Sequence, residues 1–437
     1  MIFGRFKMSD FMKEDVEDGV EIIAVAADRF KTNEISISCL MPLSERSAAD
    51  NAIVPMLLAR SSREYPSILS LNRKLASLYG AQVETVISKV GEVQHLRIDL
   101  TCLDDRFSLD GEKITLSCVN LLLSLLFDPA LDENGDFLPD NVEREKRVLT
   151  EKIESEENEK RVYALRRAEE IMFDGEPYSV NRYGSRESVA AVTPQSAAAA
   201  WRSILKSAKL VLTVVGSADI GEIKDLFAEK LSHIQREYRA LPAPVIKKVS
   251  GSVKTVMERQ KIKQGKLVMG FRADCDPNDP VRAAAMRSFC DVFGGGPYSK
   301  LFANVREKMS LCYYCSARFT RQKAFVMVQS GCEEENMEKA QAEILNQLEE
   351  IKKGNFDYEF SSSKIALSDA LDSVYDAPES IEAWYGLQSA DGKYISPSES
   401  AKLNNAVTKE QIMDCAASVQ LDTVYKLSCE KEDAECR

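Results

Sequence analysis

Apolar and polar positions alternate with a period of two over residues 20–26 and 35–41, which predicts strands with side chains pointing to opposite faces in turn. The spacing then changes to that of helices over 51–60 and 67–78. Tyr79-Gly80-Ala81 marks a turn, and 82–90 with 93–100 reads as a hairpin. Helices are expected over 113–126 and 141–173, and a strand over 210–215 that stops at Gly216. The second half repeats this order: a strand over 266–272, helices over 281–293 and 298–308, a hairpin of 312–319 with 324–331, then helices over 335–353 and 356–372. The strongest internal match sets helix, turn and strand pair at 71–100 against 301–330, an offset of 230 positions. A period this long is foreign to solenoids and fits duplication of a whole unit. Between the halves, Pro242 and Pro244 sit in a stretch without periodicity that reads as a linker. The expected organisation is α+β: two homologous units, 1–237 and 251–437, joined over 238–250, each a mainly antiparallel sheet with helices packed on one face.

Composition narrows the partners. The chain has 437 residues, enough for several cores, and a formal net charge of -12, which argues against nucleic acid because that needs a basic footprint. Residues 1–10 lack the apolar core of a signal peptide, and the longest apolar run, 119–127, is interrupted by Asn120 and Ser124, far short of the roughly 20 residues that span a bilayer. A cytoplasmic protein without a membrane span is expected. The 11 cysteines, odd in number and dispersed, fit reduced thiols.

Candidate chemistry is sparse. The only histidines, His95 and His233, lie 138 positions apart, so no pair at helical spacing exists and the zinc motif H-x-x-E-H is absent. His95 reads as a satisfied strand residue and His233 as solvent-facing. Cys312 and Cys315 have C-x-x-C spacing without a second pair. Within an expected strand their side chains would point to opposite faces, which opposes both a four-thiolate zinc site and a redox dithiol. No G-K-[ST] follows Gly294-Gly295-Gly296, and Pro297 removes an N–H donor, so this run reads as a tight turn between helices. No G-x-S-x-G is present.

Two strings carry more. The first is Ser299-x-Leu301-Phe302-x-x-Val305-Arg306-Glu307-Lys308-x-x-Leu311-x-Tyr313. The second is Pro177-Tyr178-Ser179 through Gly184-Ser185-Arg186-Glu187-Ser188-Val189, ahead of Val192-Thr193-Pro194. In their order and distance they resemble the pitrilysin/insulinase (inverzincin) family of zinc peptidases, over nearly the whole chain, as the zinc-free subunit of the two-domain bacterial type. The resemblance implies that 51–60 stands where the family carries its zinc helix, with Val54, Leu57 and Leu58 at the lost motif positions. Glu151 is the possible vestigial third ligand, with Lys152 the other occupant of that position. It further implies Arg306 and Tyr313 as substrate-binding residues, no catalytic residue or cofactor in this chain, and zinc in a partner subunit. The implied partners are a peptide substrate and either an H-x-x-E-H subunit in a heterodimer or a second copy in a homodimer, with neither nucleic acid nor membrane. The expected function is a non-catalytic, substrate-binding subunit that completes the chamber of a metallopeptidase and is not active alone. The other reading is an inactive structural or peptide-binding protein with no role in proteolysis.

Overall fold

The computed structural model describes residues 11–249 and 251–430; the reading of 1–10 as lacking a signal peptide lies outside them. The chain forms two compact units, and neither is continuous in sequence. The first draws on residues up to Ile153, Val180–Ala243 and Val374–Ile395; the second on Glu154–Ser179, Pro244–Ser373 and the chain from Ser396.

In the first unit the strands are β1 (Phe11–Glu17), β2 (Val20–Ala26), β3 (Thr32–Pro42), β4 (Gln82–Val90), β5 (Val93–Leu103) and β6 (Lys209–Gly216). They lie in the order β1-β2-β6-β3-β5-β4, antiparallel except for the β2–β6 pair. Its helices are α1 (Ala48–Leu58), α2 (Ile68–Ser77), α3 (Ile114–Phe127), most of α4 (Pro139–Asn158), α6 (Arg186–Ala191), α7 (Pro194–Ser207), α8 (Ile220–Leu231) and α12 (Pro378–Gln388). The apolar run of β2 is buried on both sides, as expected of a strand covered on two faces. Val20 and Ile22 join the large core beneath α1, α3, α7 and α8. Ile23 and Val25 face the other way and pack with Ile381 and Tyr385 of α12.

The second unit repeats this plan. Its strands are β7 (Lys254–Gln260), β8 (Gly265–Arg272), β9 (Tyr314–Thr320), β10 (Phe325–Cys332) and β11 (Gln420–Cys429), in the order β7-β11-β8-β10-β9. Only β11–β7 is parallel. The helices are α5 (Lys160–Met172), α9 (Pro280–Gly294), a π-type helix (Leu301–Lys308), α10 (Met337–Lys352), α11 (Asp357–Asp372), α13 (Pro397–Ala406) and α14 (Lys409–Ser418). Leu267, Met269 and Phe271 of β8 enter the core with α9, α10 and α14, while Val268 faces Ala164, Ala168 and Met172 of α5.

The α+β class with two mostly antiparallel sheets is therefore as expected, and most helices gather on one face of each sheet. The opposite face is not bare, because among the described residues one helix packs on it: α12 on the first sheet and α5 on the second. One expected helix is corrected. Residues 141–173 break at Glu159, whose carboxylate accepts from the Arg161 N–H and starts a new helix, so α4 and α5 are separate.

The seat of α12 is polar as well as apolar. Ser36 Oγ donates to Glu382 Oε1 at 2.6 Å, and the Arg97 guanidinium pairs with Glu382 and, through Nε, with Asp99 Oδ1 at 2.8 Å. Thr101 donates to the nearby Glu34 carboxyl at 2.7 Å.

Candidate functional site

The helix that the resemblance sets in the zinc-helix position, α1, is a packing element. Val54, Leu57 and Leu58 are each at most 2% exposed and lie inside the first unit's core. Pro55 supplies no N–H within the helix. The buried polar side chain of α1 is Asn51, one turn before Val54. Its Nδ2 donates to Gln94 Oε1 at 3.1 Å, and Gln94 Nε2 donates to the carbonyls of Ala48 and Arg182 at 2.9 and 2.7 Å. An H-x-x-E-H spacing laid from Asn51 meets Val54 and Pro55 at its last two positions, again without a donor pair.

Zinc requires about four nitrogen, sulfur or oxygen ligands. Hydrocarbon side chains do not fit it, and among the described residues no group of three His, Cys, Asp or Glu is placed to hold a metal ion. Glu151 lies exposed on α4. The acid of that helix which is buried is Glu145, salt-bridged to Arg60 Nη1 at 2.5 Å; burial raises its pKa and Arg60 opposes the shift. His95 is buried, with Nε2 2.7 Å from Ser38 Oγ, and desolvation with the Arg97 charge lowers its pKa to about 3, so it stays neutral. His233 is exposed.

The second unit presents the other candidates. The chain widens into π-type turns over Leu301–Lys308, and Met309 N–H bonds the Asn304 carbonyl. Leu301 and Val305 point into the core, which turns Arg306 outward. Its guanidinium lies 4.5 Å over the Phe302 ring, with Nε 3.6 Å from Glu307. Ser310 adopts a left-handed φ of 52°, and the chain then bends at Tyr313. Tyr313 N–H bonds the Gly331 carbonyl at 2.8 Å, the Tyr313 ring is 63% exposed, and its hydroxyl donates to Glu333 Oε1 at 3.3 Å. Tyr314 is different: it is half-buried beneath the Arg161 guanidinium, 4.5 Å away. The structure thus puts Arg306 and Tyr313 on one solvent-facing stretch. π-type turns and left-handed non-glycine residues are each uncommon, and both concentrate at functional segments.

Three features here were not read from the sequence. Glu333 had no motif around it. The strained φ of Ser310 has no sequence signal, because serine does not announce it. Cys312 and Cys315 are both buried in the same core rather than on opposite faces, since the strand starts only at Tyr314, after the bend. The glycine run turns between α9 and the π-type helix, as expected, and Gly294 also closes α9 onto β9, where an added Cβ would stand 2.5 Å from the Ala317 backbone nitrogen.

A family model described as the peptidase M16 inactive domain matches residues 191–367. The probable inactive metalloprotease YmfF of Bacillus subtilis (strain 168) is 30% identical over 419 residues, which is 94% of this chain and 96% of that protein. Among solved structures, a conserved protein from Enterococcus faecalis V583 matches at a TM-score of 0.89 and 25% identity, over 97% of this chain and 100% of its own. A peptidase M16 inactive domain from Pseudomonas fluorescens matches at 0.77 and 15% identity, covering 96% of this chain and 98% of its own. A protease from Helicobacter pylori matches at 0.77 and 14%, covering 97% and 100%. The last two likenesses concern the fold alone.

Proposed function

Because the chain belongs to the peptidase M16 family, we propose that it is a non-catalytic, substrate-binding subunit of a zinc peptidase whose H-x-x-E-H helix and metal sit on a partner chain. It is an inactive metallopeptidase homologue, and the proposal concerns what such a homologue still does. One contrast carries the reading. The positions that the resemblance gives to zinc are filled with hydrocarbon, yet Arg306 and Tyr313 face solvent on either side of Ser310, whose φ is left-handed. A left-handed non-glycine residue costs about 1–3 kcal/mol and concentrates at functional segments, which supports a binding role.

Arg306 and Tyr313 suit a peptide backbone. A guanidinium and a phenol are both hydrogen-bond donors, and donors aimed at the scissile carbonyl stabilise the negative charge that grows on its oxygen during attack. The partner's metal would supply the activated water. This chain would hold the peptide and stabilise that charge. Alone, it is expected to bind no stoichiometric zinc and to cleave no peptide.

The test is capture of the native protein with its partner, followed by kcat/KM measurements on the complex. Tyr313→Phe and Arg306→Ala should each lower peptide cleavage at least tenfold with the complex intact; one such donor, fully engaged, is worth about 2.7–4 kcal/mol. Tyr314→Phe should change little, because that ring packs inside its own unit. A wild-type rate for Tyr313→Phe in an active complex defeats the reading. Recovery of a second copy alone, without proteolysis, favours the structural alternative.

A further inference from the structure

Arg161 of α5 and Lys266 of β8 lie over one aromatic ring, and neither has an acid partner. The register sets Lys266, Gly331 and Tyr314 in one row across β8, β10 and β9, on the sheet face that α5 covers. Gly331 is what lets the Tyr314 ring lean inward: a Cβ there would stand 2.4 Å from Tyr314 Cε1 and 2.9 Å from Gln264 Oε1. The Arg161 guanidinium lies 4.5 Å from the ring centroid and the Lys266 ammonium 5.9 Å from it. A neutral amide orients each cation. Arg161 Nε donates to Gln329 Oε1 at 3.1 Å, and Lys266 Nζ donates to Gln264 Oε1 at 2.7 Å. Among the described residues no carboxylate forms an ion pair with either cation, and neither Nη of Arg161 has an acceptor. Glu159, two residues before Arg161, is engaged at the start of α5, where it accepts from the Arg161 backbone N–H at 3.1 Å. Other cations of the chain differ. Arg306 lies the same distance over Phe302 but has Glu307 at 3.6 Å, and Lys13 has Asp15 at 2.7 Å. The hydrogen bond to Asp15 raises the Lys13 pKa, whereas burial lowers that of Lys266, with Arg161 adding to the shift and Glu159 opposing it.

We propose that Arg161 and Lys266 form an oxyanion site over the Tyr314 ring, suited to a doubly charged group: free phosphate or the phosphate of a small monoester. The ring face steadies both cations. The terminal N–H groups of Arg161 form a planar fork that matches two oxygens of such a group, and the Lys266 ammonium adds a second charge for a third oxygen. A chain of net charge -12 does not draw anions by its overall field, so the attraction is local to this pair. The site uses neither Arg306 nor Tyr313, and it is measured on the purified chain without proteolysis. Its failure would therefore leave the clamp reading untouched, and the reverse holds as well.

The experiment treats the full chain with phenylglyoxal, which modifies arginine, at mildly alkaline pH. Inorganic phosphate, phenyl phosphate or acetate is added, with chloride holding the ionic strength constant, and mass spectrometry reads the rate at each arginine. Phosphate should slow modification of Arg161 severalfold and leave Arg306 unchanged. Acetate, with one charge, should need about tenfold more for the same protection. Lys266→Gln should raise the half-protecting phosphate concentration about tenfold without changing the rate at Arg161 in chloride alone, and Lys266→Arg should restore it. Protection by phenyl phosphate at a lower concentration than by phosphate identifies a monoester as the ligand; equal concentrations identify the free ion. The proposal is overturned if Arg161 reacts at one rate with and without phosphate, or if Arg306 is protected equally. Protection in Lys266→Gln that matches the wild type overturns it too, as does acetate acting as well as phosphate.

Discussion

At the scale of single residues, adjacent positions have opposite fates. Tyr313 stands in solvent, while Tyr314 is clamped beneath Arg161. The family string pointed to the first of the pair, but it is the bend at Tyr313, ahead of the strand that begins at Tyr314, that separates the two rings. Glu333, which holds the Tyr313 hydroxyl, was not legible, since it comes from the neighbouring strand's end and only the register brings it near. The zinc-helix positions follow the same logic. Leu57 is buried in the first core, so Leu57→Ala should lose about 2–5 kcal/mol of unfolding free energy in a urea titration. Exposed Glu151 should tolerate alanine within about 0.5 kcal/mol. A large loss at Glu151 would mean that its carboxylate has a partner in the folded chain.

Among the elements, α9 and α12 make distinct predictions. Gly294→Ala would drive a methyl into the β9 backbone, which cannot yield as a side chain can, so a cost of about 1–3 kcal/mol is expected. Gly296→Ala meets only the Tyr298 ring and should cost less. Comparing the two urea midpoints checks this. The seat of α12 responds to pH. Burial, with Asp99 and Glu382 nearby, raises the Glu34 pKa to about 8 against the Thr101 hydrogen bond, and Asp99 and Glu382 are raised as well. A carboxyl whose folded pKa is raised contributes stability fully below its unfolded value, near 4.5, and loses it as pH climbs through about 8. The stability difference between wild type and Glu34→Gln should therefore shift against wild type from about pH 5 to about pH 8. A difference that stays flat over that range would rule this out. Several elements had readable signals that period-counting passes over. Ser396 with Glu399 and Thr408 with Gln411 are capping boxes that start α13 and α14, and Thr193-Pro194 starts α7. Edge strand β7, Lys-Thr-Val-Met-Glu-Arg-Gln, is too polar to be recognised alone and is a strand because β11 pairs with it.

For the whole molecule, the 230-residue repeat was visible because helix–hairpin order is written in local period. Segment exchange was not. The stripe Ala164, Ala168 and Met172 says that α5 has an apolar face, but nothing near it in sequence says which sheet it will cover. The exchange predicts that residues 11–243 expressed alone leave Ile23, Val25, Leu40, Val211 and Val215 uncovered, since Ile381 and Tyr385 are missing. Such a fragment should bind a hydrophobic dye and elute as aggregate, and a peptide spanning 374–395 should lower the dye binding without abolishing it, because the apolar stripe of α5 still lacks its sheet. A monomeric 11–243 that unfolds cooperatively without the peptide would contradict this. The same arrangement bears on birth of the chain. Domains commonly finish in the order they leave the ribosome, but this first unit waits for a helix that begins 135 residues beyond Ala243, at Pro378. At about 5–20 residues per second, its second face stays open on the order of ten seconds. Throughout that interval the nascent chain offers a chaperone, or another nascent copy, an apolar surface that the finished protein never shows.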